Sequence, residues 1–223
     1  MSSKILKFQF ILVMAFFVSC GPSKSIIQKP IIFDQNRKDL SLEYLSSRYG
    51  ITQQAPTIVP KMIVLHWTEI ETFQDSYNAF YNPLLPNARP ELKDAGSLNV
   101  SAHFLVDRDG LIYQLLPETT MARHTIGLNH CAIGIENVGG TKITPLTESQ
   151  LKANIWLVKY LSNKYDIDYL IGHSEYTLFE DSPLWLEKDK SYRTVKTDPG
   201  DDFMSKVRAK TKKFNFKDLP KKN

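Results

Sequence analysis

The chain has 223 residues, 42% of them hydrophobic and 23% charged, with a formal net charge of +4. That apolar content suffices for one buried core, so a single globular domain is expected and a disordered or fibrous chain is excluded. The small charge excess gathers from Lys206 onward and reads as a solvated helix face and frayed end, so no nucleic-acid partner is expected.

Lys4 and Lys7 precede an apolar run over 8–18, broken only by Gln9 and too short to span a bilayer comfortably. It ends Phe17-Val18-Ser19-Cys20-Gly21. This resembles a bacterial lipoprotein signal, cleaved before Cys20 and lipidated on its thiol. The expected organisation is a signal peptide over 1–19, a lipid-anchored tether over 20–38, one domain over 39–215 and a basic tail over 216–223. The protein is then exported and held on the cell envelope, periplasm-facing on the outer membrane. Cys131 is the other cysteine, so no internal disulfide is expected, and its place before a strand-like run suits a buried, inert thiol.

Leu40, Tyr44, Leu45 and Tyr49 recur at helical spacing, with Gly50 as a stop. After a proline-containing loop over 52–60, residues 61–67 form a continuous apolar strand of the kind buried inside a sheet. Phe73, Tyr77, Phe80 and Tyr81 predict an amphipathic helix over 72–81, and 82–99 reads as a surface loop. Strands over 100–106 and 111–116 flank Asp107-Arg108-Asp109-Gly110, a hairpin turn. Another strand over 132–138 ends in Gly139-Gly140. Thr147-Glu148-Ser149-Gln150 is a capping box opening a helix that places Leu151, Ile155, Val158 and Leu161 on one face. A short strand over 169–172 and a helix from 201 to about 213, with Phe203 and Val207 inward, complete the chain. Helices alternating with strands, plus one hairpin, predict a mixed α/β sheet with helices on both faces.

The chemistry gathers over 170–200. His173 stands at a strand end, and a loop later supplies Lys196 and Asp198, two residues apart and facing one way in extended chain. Pro199-Gly200 then turns the chain. An imidazole and a carboxylate make two thirds of a catalytic zinc site, and His66, at the end of another strand, is the candidate third ligand. Glu136 sits in an otherwise apolar strand, where a carboxylate is costly without a purpose or a partner. It suits a general base that takes a proton from attacking water and passes it to a leaving amine. Lys196 would stabilise charge developing on the carbonyl oxygen.

Six stretches in order resemble the zinc N-acetylmuramoyl-L-alanine amidases of the type 2 amidase group, whose relatives include phage lysozyme-amidases and peptidoglycan recognition proteins. They are Ile63-Val64-Leu65-His66-Trp67-Thr68, Val100-Ser101-Ala102-His103-Phe104-Leu105-Val106, Asp109-Gly110-Leu111-Ile112-Tyr113-Gln114, Ala132-Ile133-Gly134-Ile135-Glu136, Gly172-His173-Ser174-Glu175 and Lys196-Thr197-Asp198-Pro199-Gly200. The resemblance implies one zinc ion on His66, His173 and Asp198, with Glu136 as catalytic acid/base and Lys196 as oxyanion stabiliser. It implies hydrolysis of the bond between N-acetylmuramic acid and L-alanine in peptidoglycan or muropeptides, by a protein expected to be a monomer. His124 matches a groove-lining position, and Trp67, His103 and Asn137 are further candidate substrate contacts. His130 reads as loop surface. Asp198 in place of cysteine is similar to the bacterial branch that includes lipid-anchored amidases. One departure is the long run over 176–195 between His173 and Asp198, read either as a cleft wall or lid or as a packing insert. A non-catalytic peptidoglycan-binding module and a zinc peptidase acting on the stem peptide are the rival functions.

Overall fold

The computed structural model describes residues 25–86 and 95–221. The expected signal peptide, Cys20 and the start of the tether lie outside these residues, as does part of the loop over 82–99. Six strands form one sheet: β1 (Ile26–Gln28), β2 (Met62–Leu65), β3 (Phe104–Val106), β4 (Ile112–Gln114), β5 (Ala132–Asn137) and β6 (Tyr169–Gly172). Their spatial order is β1-β4-β3-β5-β2-β6, and each pairing is parallel except the β3–β4 hairpin. The expected mixed sheet thus forms. Its central strands β2 and β5 are wholly buried, as their unbroken apolar runs require.

Alternation along the strands divides the core into two layers. On the back, Ile63, Leu65, Ile133 and Ile135 meet α3 (Glu148–Lys164) and α4 (Asp201–Thr211) through Leu157, Val158, Leu161, Phe203 and Val207. On the front, Met62, Val64 and Ala132 meet α1 (Gln35–Tyr44) and its continuation Leu45–Tyr49, while Leu105 meets α2 (Phe73–Tyr81) through Tyr77 and Phe80. Residues of 176–195 join the same front layer. The capping box at Thr147 and Gln150 is formed as expected. Ile155, however, is only half-buried, and Leu157 and Asn154 take the inward positions.

Much of the stretch expected as tether over 20–38 is instead part of the folded domain. Ile26–Gln28 pairs with β4, Ile31 and Arg37 are buried, and Asp34 caps α1 by accepting from the Arg37 N–H. A three-residue edge strand has no periodicity of its own to read. It is held by its neighbour, and the chain after it is anchored by Arg37 of α1, whose guanidinium donates to the Phe80 and Tyr81 carbonyls at the end of α2. Among the described residues no helix is long and apolar enough to cross a membrane.

Candidate metal centre

Strand β2 lies between β5 and β6, with Leu65 opposite Ile135 on one side and Gly172 on the other. The next residues along the three strands are therefore Glu136, His66 and His173, side by side. Strand alternation sends all three to the front face at the carboxyl ends of parallel strands, where open α/β sheets place their ligand sites. The ladder extends by one residue to hold them: His66 donates its N–H to the Ile135 carbonyl at 2.8 Å, and Asn137 donates to the His66 carbonyl at 3.2 Å.

The loop before α4 brings Asp198 across, tied to the end of β6 by the Ser174 N–H, which donates to the Asp198 carbonyl at 2.9 Å. Oδ2 of Asp198 lies 3.0 Å from Nδ1 of His173 and 3.2 Å from Nδ1 of His66. The three ligand atoms all fall within 4.8 Å of one another, and all three side chains are buried. Donors placed tetrahedrally about 2 Å from one ion sit about 3.3 Å apart, so these spacings fit a single small cation. Two imidazoles and one carboxylate, with a cleft on the remaining side, are the donor set of an open catalytic site.

Burial alone raises the Asp198 carboxyl, but the adjoining His173 and His66 rings outweigh it and hold the group well below the usual carboxylate range. Asp198 is therefore an anion ready to ligate. Burial, helped by the neighbouring His66, pushes His173 down to about 4, which leaves it the neutral imidazole a metal requires. Behind His173, Glu175 accepts the Gly172 N–H at 2.7 Å and takes a two-pronged bond from Arg208 at 2.8 and 2.5 Å. Arg208 also donates to the Leu170 carbonyl at 3.0 Å. This pair clamps the turn that carries His173 onto α4, and carboxylate–guanidinium forks of this kind fix geometry well. By sequence, Arg208 had looked like part of a solvated basic face. Nothing local distinguishes it, because its partner lies 33 residues away.

The ligands open into a cleft of about 240 Å³ whose walls include Trp67, His124, Glu136, Tyr192, Val195 and Lys196. Lys196 and Asp198 do face one cavity, as alternation in extended chain predicts. Trp67 stands against Gly140, where a Cβ would come within 2.3 Å of the indole, and φ there is +96°. Gly140, just beyond β5, thus makes room for the tryptophan beside His66.

A family profile described as N-acetylmuramoyl-L-alanine amidase matches residues 42–201. The chain belongs to this family. It is 31% identical over 106 residues to the 1,6-anhydro-N-acetylmuramyl-L-alanine amidase AmpD of Enterobacter cloacae, covering 43% of this chain and 56% of that protein. It is 34% identical over 83 residues to peptidoglycan recognition protein 3 of Mus musculus, covering 34% of this chain and 23% of that one. The chain thus spans about half and about a quarter of these curated relatives. A crystal structure of an AmpD derivative shares the fold, with 23% identity, a TM-score of 0.51, and coverage of 83% of this chain and 93% of that one.

Within this amidase fold, His66, His173, Asp198, Glu136, Lys196, Trp67 and His124 all reach the one cleft. Two expected substrate contacts do not. Asn137 follows Glu136 on β5, so alternation turns it to the back face. It is fully buried there, donating to the His66 carbonyl at 2.9 Å and accepting from Asn154 on α3. His103 is also fully buried. Its Nδ1 accepts the Gly134 N–H at 2.9 Å and its Nε2 lies 2.8 Å from the Thr120 carbonyl. Burial pushes it down to about 4, so it is a neutral structural ring beneath the cleft. His130, expected at the loop surface, packs edge-on against Tyr49. Cys131 is buried as expected, its thiol pushed up to about 12 by burial. Cys20 lies outside the described residues.

Proposed function

We propose that this protein is a hydrolase that cleaves the amide between N-acetylmuramic acid and L-alanine in peptidoglycan or muropeptides, using one zinc ion on His66, His173 and Asp198. The observation that carries this reading is the buried His66–His173–Asp198 set at adjoining strand ends, sharing one cleft with Glu136 and Lys196, in a chain of the amidase family. Zinc held there supplies Lewis acidity, polarising the scissile carbonyl and making the attacking water more acidic. Glu136 accepts a proton from that water as its oxygen bonds to the lactyl carbonyl carbon. It then delivers the proton to the alanine nitrogen as the carbon–nitrogen bond breaks, giving a free carboxyl and a free amine. Lys196 stabilises the negative charge on the carbonyl oxygen during attack. Trp67 forms a wall of the cleft beside His66.

The test is digestion of purified muropeptides by the full chain, with and without a zinc chelator, followed by mass measurement of the products. Intact stem peptide released from sugar, lost with chelator and restored by zinc, is the expected result. Products cut within the stem peptide would replace this reading with a peptidase, and binding without cleavage by the zinc-loaded protein would replace it with a recognition module.

The proposal extends to location. Lys4, Lys7, the apolar run over 8–18 and Ser19-Cys20-Gly21 support an exported protein lipidated at Cys20, its domain facing the peptidoglycan from a membrane surface. Cys20→Ala should move the protein from the membrane fraction to the soluble fraction of the envelope. Unchanged membrane association would overturn the anchor.

A further inference from the structure

We infer that His124 is a positioning residue that dictates which ring nitrogen of His66 is left bare for the metal; this rests on the metal site proposed above. Nε2 of His124 lies 3.2 Å from the carbonyl oxygen of Ala132, which has lone pairs and no proton, so Nε2 carries the hydrogen. A neutral imidazole has one N–H, which leaves Nδ1 of His124 as an acceptor. That nitrogen lies 3.0 Å from Nε2 of His66, so His66 is the donor there. The remaining nitrogen of His66, Nδ1, is therefore the one left for the metal, and it lies 3.2 Å from Oδ2 of Asp198. A carbonyl on β5 thus sets, through one intervening ring, the tautomer of a ligand on β2. The Thr125 hydroxyl, 2.8 Å from the same Nδ1 of His124, also donates to it and shares its one lone pair with His66.

The surroundings are built to hold this ring. The His124 and Thr125 N–H groups both donate to Oδ1 of Asn129, at 2.9 and 2.7 Å, and Asn129 is in turn bonded to the Tyr49 hydroxyl. The imidazole lies flat against β5 at Gly134, where a Cβ would come within 2.7 Å of its Cγ. Gly134 is the glycine of Ala132-Ile133-Gly134-Ile135-Glu136, and its φ is not in the left-handed region. Its role is space for the ring rather than backbone freedom. His66 and His124 meet edge to face, with centroids 5.1 Å apart. Partners that orient a metal-binding histidine through its second nitrogen commonly change metal affinity by about 10–100-fold when removed.

Zinc affinity of the full chain, measured by competition with a chromophoric chelator, tests the inference in wild type, His124→Leu, His124→Asn and Gly134→Ala. The thermal midpoints of the metal-free forms are recorded alongside. His124→Leu removes the acceptor and should weaken zinc binding by about 10–100-fold. His124→Asn, whose Oδ1 can accept from His66 Nε2, should recover most of that loss. Gly134→Ala should displace the ring and weaken binding in the direction of His124→Leu. Nitrogen-15 spectra of wild-type His66 should show a proton on Nε2 with and without zinc, a signature that a merely structural His124 would not produce. An unprotonated Nε2 in His66, or a His124→Leu affinity equal to wild type, would overturn the positioning role. If His124→Leu does not fold, the wild-type spectra and His124→Asn decide the matter. A wild-type chain that binds no zinc would overturn the proposed function itself, which separates the two failures.

Discussion

The cleft has two halves made in different ways. One half is the ends of β2, β5 and β6, where His66, Glu136 and His173 stand at consecutive strand positions and a hydrogen-bonded ladder sets their spacing. The other half includes the end of residues 176–195, a segment with no strand and only a short 3-10 stretch, His173–Phe179, at its start. That segment is held by side chains and isolated backbone bonds. The Tyr176 hydroxyl donates to the Thr194 carbonyl at 2.7 Å and accepts the Thr194 N–H at 2.8 Å. A salt bridge joins Arg48 to buried Glu187 at 2.8 Å, the Leu186 N–H donates to the Gly127 carbonyl, and Trp185 lies over Gly127. Phe179 and Tyr176 are in the core, while Tyr192, Thr194 and Val195 line the cleft. The two readings of this segment therefore apply to different residues: its base is packing and its last residues are wall. A sheet edge positions chemistry to within a hydrogen bond. An irregular segment shapes what can approach it, and is the part free to vary.

Breaking the first half should have the larger effects. Asp198→Ala removes the anionic ligand shared by both histidines, and should abolish stoichiometric zinc binding and reduce hydrolysis to background, measured by metal analysis and muropeptide assay. Full activity would move the metal elsewhere. Glu136→Gln should keep the metal and the fold but lower kcat by about 10²–10⁴-fold, as expected for a lost general acid/base. A fast Glu136→Gln enzyme would remove Glu136 from proton transfer.

Acid should act beneath the cleft. His103 is held neutral down to about 4, whereas an exposed histidine in the unfolded chain titrates near 6.5. Between those values the unfolded chain binds more protons, so stability falls as pH drops from about 6.5 to 4, by up to about 1.4 kcal/mol per pH unit from this group. Urea midpoints of the metal-free protein at several pH values would show it, and His103→Gln should flatten the slope. An unchanged slope would acquit His103.

The second half should respond more mildly. Tyr176→Phe removes the bridge to Thr194 and should cost about 1–2 kcal/mol in stability while raising KM with little change in zinc affinity. Val195→Gly, at a side chain 96% exposed, should leave stability unaltered and change KM by a few-fold at most. A large fall in zinc affinity in either variant would show that the wall and the metal site are not separable in this way.

Much of this molecule is local enough to read from residue order. The buried strands at 62–65 and 132–137 announce themselves by unbroken apolar runs, and the capping box at Thr147 and Gln150 is a contact between near neighbours. Residue types carry chemistry directly, so two histidines at strand ends and an aspartate before a turn already pointed to a metal site. What residue order could not supply was which strand lies beside which. The order β5-β2-β6 places Glu136, His66 and His173 in one row, and that row depends on pairing energies between segments far apart in the chain. The same reason hid β1, whose three residues are a strand only because β4 is beside them. It sent Asn137 to the back face and His103 beneath the cleft, and left Arg208 looking like surface charge until Glu175 came within reach. Short-range pattern specifies elements and their chemistry. The contacts that orient ligands, here His124 under His66 and Glu175 on Arg208, exist only once distant segments are packed together.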